Sequence, residues 1–147
     1  MPDKANSSKY FKMKKHNLIY LAFLFLGSSM CMAQSTTVPA ELSLAFKTGN
    51  IEKLSEYLNN TVELVILDKE DFYKKKVAEN ILRDFFNKHR VQDFIVKHQG
   101  GKNDANFAIG DLQTVDGSFR VYFLMKKVDS KPLIHQLRIE KDDSGSN

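Results

Sequence analysis

Residues 118–140 limit the fold more than any other stretch of this chain. They read Ser-Phe-Arg-Val-Tyr-Phe-Leu-Met-Lys-Lys, a polar connection Val-Asp-Ser-Lys-Pro, then Leu-Ile-His-Gln-Leu-Arg-Ile-Glu. Two runs rich in β-branched and aromatic residues around a Pro-containing break predict a β-hairpin. A lone hairpin is marginal in water, so this one needs further strands and a covered face. The residues just upstream supply the strands, because from Val91 the apolar period is two. Residues 93–98 read as one strand and 99–103 as a Gly-containing loop. Residues 106–115 read as a second strand, with Gly110 at a bulge or kink. Asp116-Gly117 is a two-residue hairpin turn. The last four strands therefore form an antiparallel meander.

The helices come earlier. Pro39 suits a first helical turn, and Leu42, Leu44, Ala45 and Phe46 follow at helical spacing. Gly49-Asn50 ends that helix and caps a second over 51–58, with Leu54, Tyr57 and Leu58 on its apolar face. Asn59-Asn60 is a turn, 61–67 a strand and 68–71 a polar turn. Phe72 and Tyr73 start a short returning strand. Residues 74–88 give the clearest helix, with Val77, Ile81, Leu82, Phe85 and Phe86 on one side. Lys74, Lys75 and Lys76 open it against the helix dipole and read as a solvated face rather than an anion site.

The order α-α-β-(β)-α-β-β-β-β is an α+β domain, with three helices packed on one face of a curved antiparallel sheet. Alternation turns Phe94, Val96, Phe107, Ile109, Phe119, Val121, Phe123, Met125, Leu133, Leu137 and Ile139 toward the helices. It turns Ile95, Leu112, Tyr122, Leu124 and Ile134 outward, beside Arg120, Gln136 and Arg138. That outer face is more apolar than full solvation needs. Two readings stand: a face covered by a second copy or a partner, or an ordinary mixed β surface.

Residues 1–33 read as an extension and secretory signal, 34–140 as the single domain and 141–147 as a flexible tail. Lys14, Lys15 and His16 precede a nine-residue apolar run over 18–26 and a small-residue stretch ending at Ala33. The run is too short to span a bilayer and fits a signal cleaved after Ala33. The protein is then periplasmic or secreted. Lipoprotein processing at Cys31 is the alternative, weakened by the bulky Met30 before it. Met13 competes with Met1 as the start. Cys31 is the sole cysteine, so the domain has no disulfide and no Cys-ligated metal. The first 33 residues hold five of the 22 Lys and Arg and one of the 18 Asp and Glu, leaving 17 of each. A formally neutral domain argues against a nucleic-acid or anionic-membrane partner.

The helix end Ile81-Leu-Arg-Asp-Phe-Phe86, the strand end Val96-Lys-His-Gln-Gly100, Phe107-Ala-Ile-Gly110, Arg120-Val-Tyr-Phe-Leu124 and Ile134-His-Gln-Leu-Arg-Ile-Glu140 resemble the small exported bacterial proteins called domain of unknown function 4783. The element order is similar to the wider nuclear transport factor 2-like cone. The resemblance implies that fold and brings no catalytic motif. The superfamily includes isomerases and dehydratases with Asp/His or Tyr/Asp groups inside the cone, and members that only bind or dimerise, so fold does not give function.

Motifs that carry chemistry are few. There is no His pair at metal-ligand spacing, no phosphate-binding glycine loop and no nucleophile elbow. No cofactor or metal is expected. Inside the cone, His98, Asp111 and His135 share the core-face parity if Gly110 leaves the register unshifted. A His beside a carboxylate in an apolar pocket is a usable base. The blander reading has each His capping a core layer, and a bulge at Gly110 would turn Asp111 outward. Arg120 and Arg138 fit cross-strand pairing with acids such as Glu140. The expected function is a non-catalytic ligand- or protein-binding module, with His98 and His135 near any small ligand in the cone. A homodimer would form through Tyr122, Leu124, Ile134, Arg120 and Arg138. The rivals are an isomerase- or dehydratase-like enzyme using His98, Asp111 and His135, and a lipid-anchored accessory protein.

Overall fold

The computed structural model describes residues 38–142; the expected signal segment, its cleavage position, Cys31 and residues 143–147 lie outside them. Helix α1 (Ala40–Thr48) and α2 (Ile51–Glu56) lead into β1 (Leu58–Ile66) and β2 (Lys69–Lys74). Helix α3 (Lys75–Lys88) follows, then β3 (Val91–Lys102), β4 (Ala105–Thr114), β5 (Gly117–Val128) and β6 (Lys131–Lys141). The six strands make one sheet in the order β2-β1-β6-β5-β4-β3. Only the β1–β6 pair among them is parallel; β3 to β6 form the expected antiparallel meander. This is the α+β cone anticipated from the order of elements.

Local chemistry accounts for the ends. Gly49 takes a left-handed φ of 61° and its N–H reaches back to the last turn of α1, the usual glycine stop. Asn50 accepts a hydrogen bond from the Lys53 N–H and caps α2. The β5–β6 turn places Asp129 and Ser130 at φ 48° and 68°, as a two-residue hairpin turn with the sheet's own twist requires. Helix α3 turns Ala78, Leu82, Phe85 and Phe86 into the core, each large side chain contributing about 1.5–3 kcal/mol by burial. Val77, expected on that face, is exposed, as is Leu44 on α1. Both helices lean on the sheet through a narrower stripe than the sequence pattern suggests.

Two face assignments need correction. On β4 the buried residues are Ala108, Gly110, Leu112 and Thr114, while Phe107 and Ile109 are half-exposed on the outer side. The inner side of β4 is small because its neighbours are large: Ala108 stands opposite Phe123, Gly110 opposite Val121 and Leu112 opposite Phe119. Apolar size is therefore a poor guide to the inner face of this strand. On β6, Ile134 is fully buried in the core and Leu133 only partly so. Met125 pairs with Ile134 but Leu124 with Gln136, so His135 is an extra residue. This one-residue bulge reverses side-chain direction before it and preserves it after. Ile134 thus leaves the proposed dimer face. A similar shift on β3 leaves Lys97 extra between Val96 and His98. Gly110 is not in a bulge. The ring of Phe94 lies over it, where a Cβ would stand 2.7 Å from two ring carbons.

The centre of the cone is filled. The Phe46 ring stacks on Phe123 at 5.5 Å and tilts onto Phe94 at 4.9 Å. Phe85 meets Phe86 and Phe119 edge-on. Open space lies at one end, where α3 finishes over β1 and β2.

Candidate functional site

His98, Asp111 and His135 are not brought together. His98 is exposed on the edge strand β3, and β4 and β5 separate it from His135. Asp111 alternates with the buried Gly110 and Leu112 and so points outward, its Oδ2 lying 3.3 Å from Lys97 Nζ. His135 occupies the β6 bulge. Its Nδ1 is 3.4 Å from Asn59 Nδ2, and its Nε2 is buried without a partner. Burial pushes the His135 pKa down, helped by Lys126 nearby. Arg138 does pair with Glu140, at 3.3 Å, and approaches Glu70 at 4.0 Å. Arg120 is exposed, in register between Asp111 and Glu140. Tyr122 stacks on Phe107 at 6.5 Å on the outer face, two residues from the half-buried Leu124.

The open end carries two adjoining cavities. The first, about 460 Å³, is walled by Leu64 and Ile66 of β1, Tyr73 of β2, and Ile81 and Phe85 of α3. Asp68, Lys69, Asp84 and Lys88 stand around it. The second, about 530 Å³, extends past Asp116, Phe119, Glu140 and Lys141. Leu67, Asp68 and His89 line both. Leu67 and Asp68 form the two-residue turn between Ile66 and Lys69. Leu67 adopts φ 55° with its side chain 40% exposed, an unfavourable backbone state for a branched apolar residue. Its N–H is held by Ile139 O at 2.8 Å, which fixes the turn at the cavity mouth.

His89 is held from several sides. It caps α3, its backbone N–H bonded to Phe85 O at 2.9 Å. Its ring lies 4.6 Å from Phe85 and 4.9 Å from Phe119. Its Nδ1 is 2.7 Å from Asp116 Oδ2. Behind Asp116 stands Thr114, 6% exposed. Its hydroxyl oxygen lies 2.9 Å from Asp116 Oδ1 and 2.7 Å from Gly117 O, and its one proton can be donated to either. Thr114 holds the Asp116 carboxyl below the usual carboxylate range, with His89 adding to the effect and burial opposing it.

Periodicity does not reveal this cluster: Asp116-Gly117 reads only as a turn, and His89 belongs to no motif. The signal was topological. A four-strand meander places the α3–β3 junction and the β4–β5 turn at the same end, since Val91 pairs with Thr114 and Val115 N–H bonds Arg90 O at 3.0 Å.

Among the described residues, no group of three His, Cys, Asp or Glu side chains is arranged to hold a metal. No helix among them is long and apolar enough to cross a membrane.

Comparison with known proteins agrees with this architecture. The family described as Domain of unknown function (DUF4783) matches residues 39–140. A DUF4783 family protein from Bacteroides uniformis is 42% identical, over 73% of this chain and 99% of that one, with a TM-score of 0.70. One from Bacteroides ovatus is 40% identical, over 72% and 96%, also with a TM-score of 0.70. A de novo designed protein with a curved β-sheet aligns over 67% of this chain and 91% of its own at 15% identity and a TM-score of 0.58. That last likeness is one of fold alone. No curated protein matches the chain.

Proposed function

The chain belongs to the DUF4783 family, and we propose that this member is an exported, non-catalytic binding module whose ligand enters the cavity between β1, β2 and α3. The observation that carries the reading is the lining of that cavity. Leu64, Ile66, Tyr73, Ile81 and Phe85 form its wall, and its charged groups stand around them. Its volume of about 460 Å³ falls in the range of small-molecule sites. A chamber of that lining favours apolar bulk. Export rests on the charged, apolar and small-residue succession of residues 1–33.

The neutral dye N-phenyl-1-naphthylamine tests the proposal. Its fluorescence should rise on mixing with the protein. Ile81→Glu, which sets a charge against the wall, should abolish the rise while leaving the circular-dichroism spectrum intact. A rise that survives Ile81→Glu would place the dye elsewhere and defeat the proposal.

A second reading, pairing of two copies through the outer sheet face, draws on the 47% exposure of Ile95 and the Phe107–Tyr122 stack. With Ile134 inside, Tyr122 and Leu124 remain as apolar groups of that face, flanked by Arg120 and Arg138. Light scattering should then give a dimer mass that Tyr122→Glu halves. A monomer mass for the unmodified protein removes this reading.

A further inference from the structure

The cavity proposed above as a ligand site has one polar group, His89, whose neutral tautomer is fixed by its partner, and the inference rests on that cavity being the site. Asp116 is a carboxylate and can only accept hydrogen bonds, so the 2.7 Å contact requires His89 Nδ1 to be the donor. In the neutral imidazole the other nitrogen, Nε2, then carries a bare lone pair. His89 Nε2 has no hydrogen-bond partner among the described residues. Nor is it among their buried unpartnered atoms, which are Asn106 Oδ1 and His135 Nε2. It therefore faces solvent space, in a residue that lines both cavities. The ring cannot easily turn away, because Phe85 and Phe119 pack against it and Thr114 holds Asp116. Around the first cavity, Asp68 and Asp84 are matched by Lys69 and Lys88, so neither sign of ligand charge is favoured.

We infer that His89 Nε2 is the polar anchor of the cavity and selects a neutral ligand that has an apolar body and a hydroxyl or N–H donor. The apolar body lies against Leu64, Ile66 and Ile81, and the donor points to His89. Asp116 is a positioning residue: it sets the tautomer and touches no ligand.

The test compares 4-propylphenol with 4-propylanisole, which has the same body but no donor. Binding of each is followed by NMR titration of the protein. In the unmodified protein the phenol should bind about fivefold tighter, the worth of one net hydrogen bond. His89→Phe keeps a ring between Phe85 and Phe119 and should bring the ratio to about one. Asp116→Asn can offer an amide N–H to Nδ1, which moves the ring proton to Nε2. It should also collapse the ratio, and the ¹⁵N spectrum of His89 should show Nε2 protonated. A ratio unchanged by His89→Phe overturns the inference. Equal binding of both probes to the unmodified protein overturns it too, while leaving the cavity as a site. Binding of neither probe overturns both.

Discussion

Gly110→Ala should destabilise this protein, although the same change in an open strand would help. Glycine in a strand interior costs roughly 0.5–1 kcal/mol relative to alanine through its extra backbone freedom. Gly110 has no left-handed φ to maintain, so conformation does not forbid a side chain. The obstacle is contact. A Cβ would lie 2.7 Å from Cε2 and Cζ of Phe94 and 2.9 Å from the Ile95 carbonyl oxygen. Carbon atoms prefer about 3.5–4.0 Å, so the Phe94 ring must retreat by about 1 Å. Its retreat is blocked by Phe46, 4.9 Å away and itself stacked on Phe123. Overpacking of this kind costs about 1–3 kcal/mol. Set against the backbone gain, this leaves a net loss of about 1 kcal/mol, which lowers the melting temperature by roughly 4–8 °C in a domain of this size. Urea unfolding followed by circular dichroism measures it, and Phe94→Leu supplies the control. In the double variant the smaller side chain should recover part of the Gly110→Ala loss. Gly110→Ala as stable as the unmodified protein, or losses that add to within about 0.5 kcal/mol, would refute the packing argument.

Other outcomes follow from the same structure. Leu67→Gly should raise stability by up to about 1 kcal/mol by removing an unfavourable left-handed leucine, yet weaken 4-propylphenol binding because Leu67 lines the cavity mouth; melting curves and NMR titration read the two effects. Thr114→Val should move the Asp116 carboxyl back up toward the ordinary range, as read by ¹³C titration. The folded Asp116 pKa lies below its unfolded value, so its stabilisation is complete above about pH 4 and fades as pH falls through the folded value. The stability gap between Thr114→Val and the unmodified protein should narrow over the same fall. His135 is also depressed by burial. Its contribution is therefore whole above about pH 6.5 and lost on acidification. Unfolding midpoints from pH 8 to pH 5 should fall less steeply in His135→Gln; parallel slopes would contradict this.

The order of elements was legible because long runs with period two or 3.6 dominate the chain. The helix over Lys75–Lys88 and the meander from Val91 are of this kind. The faces of β4 and β6 were not, for two physical reasons. Ala108 and Gly110 face inward because Phe123 and Phe94 occupy the space beside them, which is a property of neighbours rather than of the strand. The bulge at His135 is one residue long and leaves no mark in composition, yet it moves Ile134 from the surface to the core. The candidate site failed for a related reason. His98, Asp111 and His135 were grouped by strand parity, and two bulges and the inward Gly110 separate them. His89 and Asp116 sit at a helix end and a turn, where periodicity says nothing. Only the closure of the meander brings them to 2.7 Å.

The proposed function requires the open end of the cone to be the binding surface. The most direct measurement is a methyl-labelled NMR titration of the protein with 4-propylphenol, read at every Ile, Leu and Val methyl. The expected shifts are at Leu64, Ile66, Leu67 and Ile81, which line the cavity, with Ile95, Ile109 and Leu124 unmoved on the outer face. Shifts confined to Ile95, Ile109 and Leu124, or none at saturating probe, would contradict it.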